Sequence, residues 1–128
     1  MNYVLDTHAF LWIVAEDGRL SRKAKRLFLD KSNTIFLSVA SIWELAIKIS
    51  LGKLALDERL EAFVENHVKG NDIRILEISP NHIYLLEDLP FHHRDPFDRL
   101  IIAQCMIEGF SIICSDKAFD DYPVSRIW

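Results

Sequence analysis

Four acidic side chains, Asp6, Glu44, Asp98 and Asp116, are of a type and placement that could run a metal-dependent hydrolysis. Carboxylates drawn together repel one another unless a cation is present. Convergence of the four would therefore call for a hard divalent ion bound through oxygen, Mg2+ or Mn2+. Such an ion activates water and offsets charge on a phosphoryl group under in-line attack. Each acid also has a plainer reading. Asp6 and Asp98 could cap helix N-termini, the commonest task of Asp at such positions. Glu44 precedes Lys48 by four residues, the favoured order for a surface helical ion pair. Asp116 could simply start the turn toward Phe119.

The elements that would have to position these residues are legible in the apolar pattern. Tyr3-Val4-Leu5, Thr34-Ile35-Phe36-Leu37, Ile73 to Ile78 and Ser111-Ile112-Ile113-Cys114 read as buried strands, with Val124 to Ile127 as a further edge strand. Helical spacing connects them. It runs through Phe10, Leu11, Ile13 and Val14, and then through a basic segment capped by Ser21 that carries Leu27 and Phe28. A third stripe holds Val39, Ile42, Ala46 and Ile49 and stops near Gly52. Leu56 to Val68 reads as a helix with Leu56, Leu60, Phe63, Val64 and His67 facing in. Ser79-Pro80 opens a helix bearing Ile83, Leu85 and Leu86, and a last one runs from about Phe97 to Glu108 and ends at Gly109. Strands alternating with helices predict an α/β fold, a short central parallel sheet with helices on both faces, as one domain over residues 1–128.

In such sheets ligands bind beyond the carboxyl ends of the strands. Asp6 directly follows the first strand, and Asp116 follows the Ser111–Cys114 strand with only Ser115 between. Glu44 lies in the first turns of the helix after Thr34–Leu37, and Asp98 begins the helix that feeds Ser111–Cys114. All four are thus expected at one edge, which four separate structural roles explain less well. Asp95 before Pro96 is the expected N-cap of that last helix. Asp120 and Asp121 read as turn or supporting residues. His8, His92 and His93 lack the Cys/His spacing of a zinc site. Trp12 and Trp43 are expected in the core.

Composition narrows the class. At 128 residues, half of them apolar and 27% charged, the chain can bury a real core. A net charge of −4 argues mildly against nucleic-acid binding, but an empty metal site would itself contribute negative charge. The bases are uneven: Arg19, Arg22, Lys23, Lys25, Arg26 and Lys31 fall in one stretch that is either a solvated helix face or an RNA-guiding surface. Cys105 and Cys114 sit in apolar segments and are expected as reduced thiols. No apolar run approaches a membrane span and no basic leader precedes one, so the expected location is the cytoplasm, without membrane association.

Val-Leu-Asp-Thr-His-Ala at 4–9, Ser-Ile-Trp-Glu-Leu-Ala-Ile-Lys at 41–48, Asp-Pro-Phe-Asp-Arg-Leu-Ile-Ile-Ala-Gln at 95–104 and Ser-Asp-Lys-Ala-Phe at 115–119 resemble, in order, the four motifs of PIN-domain nucleases. The length is similar to that of the stand-alone VapC-type toxins of bacterial toxin–antitoxin pairs. The resemblance implies that Asp6, Glu44, Asp98 and Asp116 form a catalytic acidic group, with Asp6, Asp98 and Asp116 holding the metal. Thr7 would match the small hydroxyl residue after the first acid, and Asp95, Ser115 and Lys48 would support the group from behind. It further implies RNA as substrate, with Arg19, Arg22, Lys23 and Arg26 as candidate contacts, a cognate antitoxin and a homodimer. Two other readings compete. A phospho-receiver-like module would also hold Mg2+ in an acidic pocket, but it wants a late-strand Lys that is missing here. A PIN fold that binds RNA or a partner without cutting would be expected to have lost some of the acids.

Overall fold

The computed structural model describes residues 1–128. Five strands form one parallel sheet in the order β3-β2-β1-β4-β5, so the N-terminal strand lies at its centre. They are β1 (Asn2–Leu5), β2 (Thr34–Ser38), β3 (Arg74–Leu76), β4 (Ser111–Ile113) and β5 (Arg126–Ile127). The crossovers carry α1 (Thr7–Val14), α2 (Arg22–Leu29), α3 (Val39–Ser50), α4 (Leu60–His67), α5 (Pro80–Leu85) and α6 (Pro96–Glu108). No helix is long and apolar enough to cross a membrane.

The two-residue period of a strand divides the core in half. Tyr3 and Leu5 join Phe10, Ala24, Leu37, Leu45 and Phe63 on one face of the sheet. Val4 points the other way, toward Leu100, Ile101, Cys105, Ile112 and Phe119. Helices therefore cover both faces, which is why the strands read as continuous apolar runs. Ser21 caps α2 by accepting from the Ala24 N–H at 3.0 Å. Gly109 ends α6 with φ +71°, a left-handed turn that glycine adopts without strain.

Several expected boundaries move. α4 starts at Leu60 rather than Leu56, because Leu54 and Leu56 reach the core from an irregular segment. β3 stops at Leu76 rather than Ile78, since its partner β2 ends at Ser38, opposite Leu76, and leaves nothing further to pair with. The buried face of α3 is Ala40, Ser41, Glu44 and Leu45, not the expected stripe, and Ala46 lies exposed.

Candidate active site

The carboxyl edge of the sheet gathers all four acids, each held by a different local device. The Asp6 backbone N–H donates to the Ile113 carbonyl at 3.1 Å, which ties the residue after β1 to β4. Its Oδ1 accepts from the Ala9 N–H at 2.7 Å and caps α1, while Oδ2 lies 3.1 Å from the Cys114 thiol that donates to it. The capping reading is thus correct for Asp6, yet an ionised carboxylate has about four acceptor sites and keeps some free. Burial raises Asp6 above its ordinary pKa despite these donors.

Glu44 faces inward from the second turn of α3. Its Oε1 accepts from the Thr7 hydroxyl at 2.9 Å and its Oε2 pairs with Lys48 at 2.8 Å. The Ser41 hydroxyl lies 2.9 Å from that of Thr7; since the Thr7 proton goes to Glu44, Ser41 is the donor. The predicted ion pair exists, but its acid is buried, not on the surface.

Asp98 occupies the first turn of α6 and does not cap it. Asp95 does, accepting from the Phe97 and Asp98 N–H groups at 2.8 and 3.0 Å with Pro96 as the first helical residue. Burial pushes the Asp98 carboxyl up to about 8, helped by the charges of Asp95, Asp6, Glu44 and Asp116. Asp116 follows β4 after Cys114 and the half-buried Ser115. Its Oδ1 accepts from the Ala118 N–H at 2.9 Å, and its own N–H donates to the Cys114 sulfur at 3.2 Å.

A model of the PIN-domain family matches residues 3–124. The chain belongs to the PIN-domain family. By fold, this PIN domain is similar to VapBC2 from Rickettsia felis, solved bound to a promoter DNA fragment, with TM-score 0.74, 17% identity, and 99% of this chain and 98% of that chain covered. DNA-bound VapBC from Salmonella typhimurium gives TM-score 0.74 and 17% identity over 99% and 97% of the two chains. VapC20 of Mycobacterium tuberculosis, described as a sarcin-ricin loop cleaving toxin, gives 0.63 and 16% over 93% of each. No curated protein matches the chain by sequence.

Some residues that sequence reasoning passed over belong to the PIN domain's acidic edge. His93 brings its Nε2 to 3.1 Å from Oδ2 of both Asp98 and Asp116. Its loop is built by Arg99, a buried cation on α6 whose guanidinium donates to the Pro90 and Leu89 carbonyls at 2.7 and 2.9 Å and stacks over Phe91. The available signal was position: a His two residues before the helix-capping Asp95 must face the same helix start. Cys114, expected only as a core thiol, touches both Asp6 and Asp116; burial and then the Asp6 charge hold it protonated. Of the other two histidines singled out by the sequence, His8 lines the same cleft as Glu44 and Asp98 and lies beside Trp12, whereas His92 packs against Tyr122.

The basic segment is not brought to the acids. Arg19 pairs with Asp17 at 2.7 Å and lies over Trp12, and Lys31 reaches Asp72 near the start of β3, at the opposite edge. Arg22, Lys23 and Arg26 are exposed along α2. The bases beside the acids are instead Lys48 and Lys53, in a cleft of about 230 Å3 that Thr7, Glu44, Phe97 and Asp98 also line. A larger hollow of about 790 Å3 between α3 and α4 contains none of the four acids. Trp43, expected in the core, is 55% exposed and meets Phe97 edge-on beside the cleft. Asp120 pairs with Arg126 at 2.8 Å, and the same guanidinium donates to the Cys114 carbonyl at 3.1 Å, close to Asp116.

Proposed function

We propose that this PIN domain is a Mg2+- or Mn2+-dependent endoribonuclease, acting in the cytoplasm as the toxin of a toxin–antitoxin pair. The observation that carries the reading is the crowding of charge at the sheet edge, where Asp95, Asp6, Glu44 and Asp116 all oppose ionisation of the half-buried Asp98. Such a set is costly to ionise without a cation, and its donors are hard oxygens of the kind that bind Mg2+ and Mn2+. Asp6, Asp98 and Asp116 would hold the ion, with Glu44 as the remaining catalytic acid. A bound divalent ion would supply Lewis acidity toward water and the phosphoryl oxygens.

The chain's own residues do the positioning. The Ala9 N–H and the Cys114 thiol fix the two oxygens of Asp6. Thr7 and Lys48 hold one oxygen each of Glu44. Lys53 offers a charge for the RNA backbone at the mouth of the cleft. An open cleft suits unpaired or looped RNA, whose bases can be splayed out, better than a duplex. The toxin role draws support from the likeness in fold to the VapBC proteins. An antitoxin Arg or Lys entering the acidic cleft would gain charge-assisted hydrogen bonds and displace the metal. Exposed Trp43 and Leu51 provide apolar surface suited to a homodimer.

The test is cleavage of a mixed RNA pool by the purified chain. Activity should require Mg2+ or Mn2+, cease with EDTA, and be lost in Asp6→Asn while the fold persists by circular dichroism. Cleavage undiminished by chelation overturns the reading.

A further inference from the structure

We infer that His93 is a positioning residue of this site, a fixed hydrogen-bond donor that aims Asp116 beside Asp98, and not a ligand of the ion; the inference rests on the metal-site reading above. By distance alone the opposite would follow. Ligand atoms of His93, Asp98 and Asp116 lie within 4.8 Å of one another, which reads as a mixed nitrogen–oxygen site suited to zinc or another transition metal.

The tautomer decides against it. His93 Nδ1 lies 3.1 Å from the Asp95 backbone nitrogen, whose N–H can only donate. Nδ1 therefore presents its lone pair. A neutral imidazole carries one N–H, so the proton is on Nε2. That N–H donates to Asp116 Oδ2 at 3.1 Å, with Asp98 Oδ2 equally close. A bare lone pair there would face two carboxylate oxygens. The residue is also anchored. Its backbone N–H donates to the Tyr122 hydroxyl at 2.8 Å, that hydroxyl donates to the Pro90 carbonyl at 2.6 Å, and the ring stands edge-on to Phe119. Turning the ring over would set a carbon against the Asp95 N–H.

The consequence is a division of labour. Asp116 is the most exposed of the four acids, and it is pinned by the Ala118 N–H on Oδ1 and by His93 on Oδ2. It therefore meets an ion already aimed. With Nε2 occupied by its proton, the donors left are all oxygen, which favours Mg2+ or Mn2+ over zinc.

The experiment uses the full 15N-labelled chain. A long-range 15N–1H spectrum of the imidazoles, recorded metal-free and with Mg2+, should show the His93 proton on Nε2 in both. Mn2+ affinity by calorimetry should fall about 10- to 100-fold in His93→Leu, the usual effect of removing a group that orients a ligand. His93→Gln, whose amide can donate from nearly the Nε2 position, should restore most of it. A proton on Nδ1, or loss of the Nε2 proton on adding metal, overturns the inference. So does His93→Leu binding Mn2+ as tightly as the unaltered chain, or a Gln variant no better than Leu. If thermal melting shows His93→Leu to be unfolded, the spectrum and the Gln variant decide. Failure of the unaltered chain to bind either ion would overturn the metal-site reading instead, and the metal-free spectrum would still judge the donor.

Discussion

Asp95 gives one oxygen to two backbone N–H groups, whereas Asp98 meets only His93 and other acids. Asp95→Asn should keep the cap, because Asn accepts as Asp does, and should lower the Asp98 pKa by removing a neighbouring charge. Asp98→Asn should cost more cleavage than the roughly 10- to 100-fold typical of a supporting residue, with the fold retained. Cleavage rates and melting curves of the two variants side by side check this. Equal inactivation would move Asp95 into the catalytic group. The same crowding predicts a pH effect. Asp98 rises from 3.8 to about 8, so between those values the folded metal-free chain binds more protons than the unfolded one. Its stability is fully present below the ordinary carboxylate value and is lost as pH rises through about 8. Asp6 shifts in the same direction. Asp17, Asp30 and Asp120 are lowered and act only below this window. Melting temperature in EDTA should fall from pH 5 to 9, Mg2+ should reverse the loss, and Asp98→Asn should flatten the curve. All four acids were legible because the strand ends were; His93 was not, because its role comes from a loop conformation that no periodicity encodes.

At the level of elements, strands and helix order follow directly from sequence because burial on both faces leaves long apolar runs. Polar residues that face inward defeat the same logic. Ser41 and Glu44 turned the α3 stripe because Thr7 gives them partners inside. Arg99 shows the point most sharply: a charged residue in an apolar helix reads as solvated, yet it is buried against carbonyls of the loop before α6. Two separate guanidinium nitrogens reach the Pro90 and Leu89 carbonyls, and Lys replaces them with one nitrogen on a stem without the planar fork. Arg99→Lys should therefore cost about 1–3 kcal/mol, the penalty of a buried acceptor left unpaired. Amide hydrogen exchange should show residues 89–95 opening first. Uniform loss of protection, or none, would detach the loop from Arg99.

On the scale of the molecule, charge placement separates two candidate surfaces for the proposed RNA substrate. Sequence pointed to the basic run because clustering is visible in one dimension; Lys48 and Lys53 come to the acids only through folding. Lys53→Glu should raise KM for RNA and reduce the log–log salt dependence of binding by about 0.7 for a lost single-strand contact, with kcat little changed. Lys23→Glu with Arg26→Glu should do less. Filter binding across a salt series makes the comparison, and a larger effect from the α2 pair would return the guiding surface to that helix.

The strand order also sets a schedule. β1 pairs on one side with β2 and on the other with β4, so Tyr3 waits for Ser111 and Leu5 for Ile113. A chain emerging from the ribosome can build its first crossover early, but one side of β1 stays open until β4, more than a hundred residues later, has been synthesised. The backbone of Asp6 is itself tied to Ile113, and Asp116 lies further on still. Nascent fragments therefore cannot assemble the acidic edge, however long they linger on the ribosome. On the proposed ribonuclease reading, an enzyme able to attack the RNA around its own birthplace is disarmed by topology until β4 and Asp116 arrive.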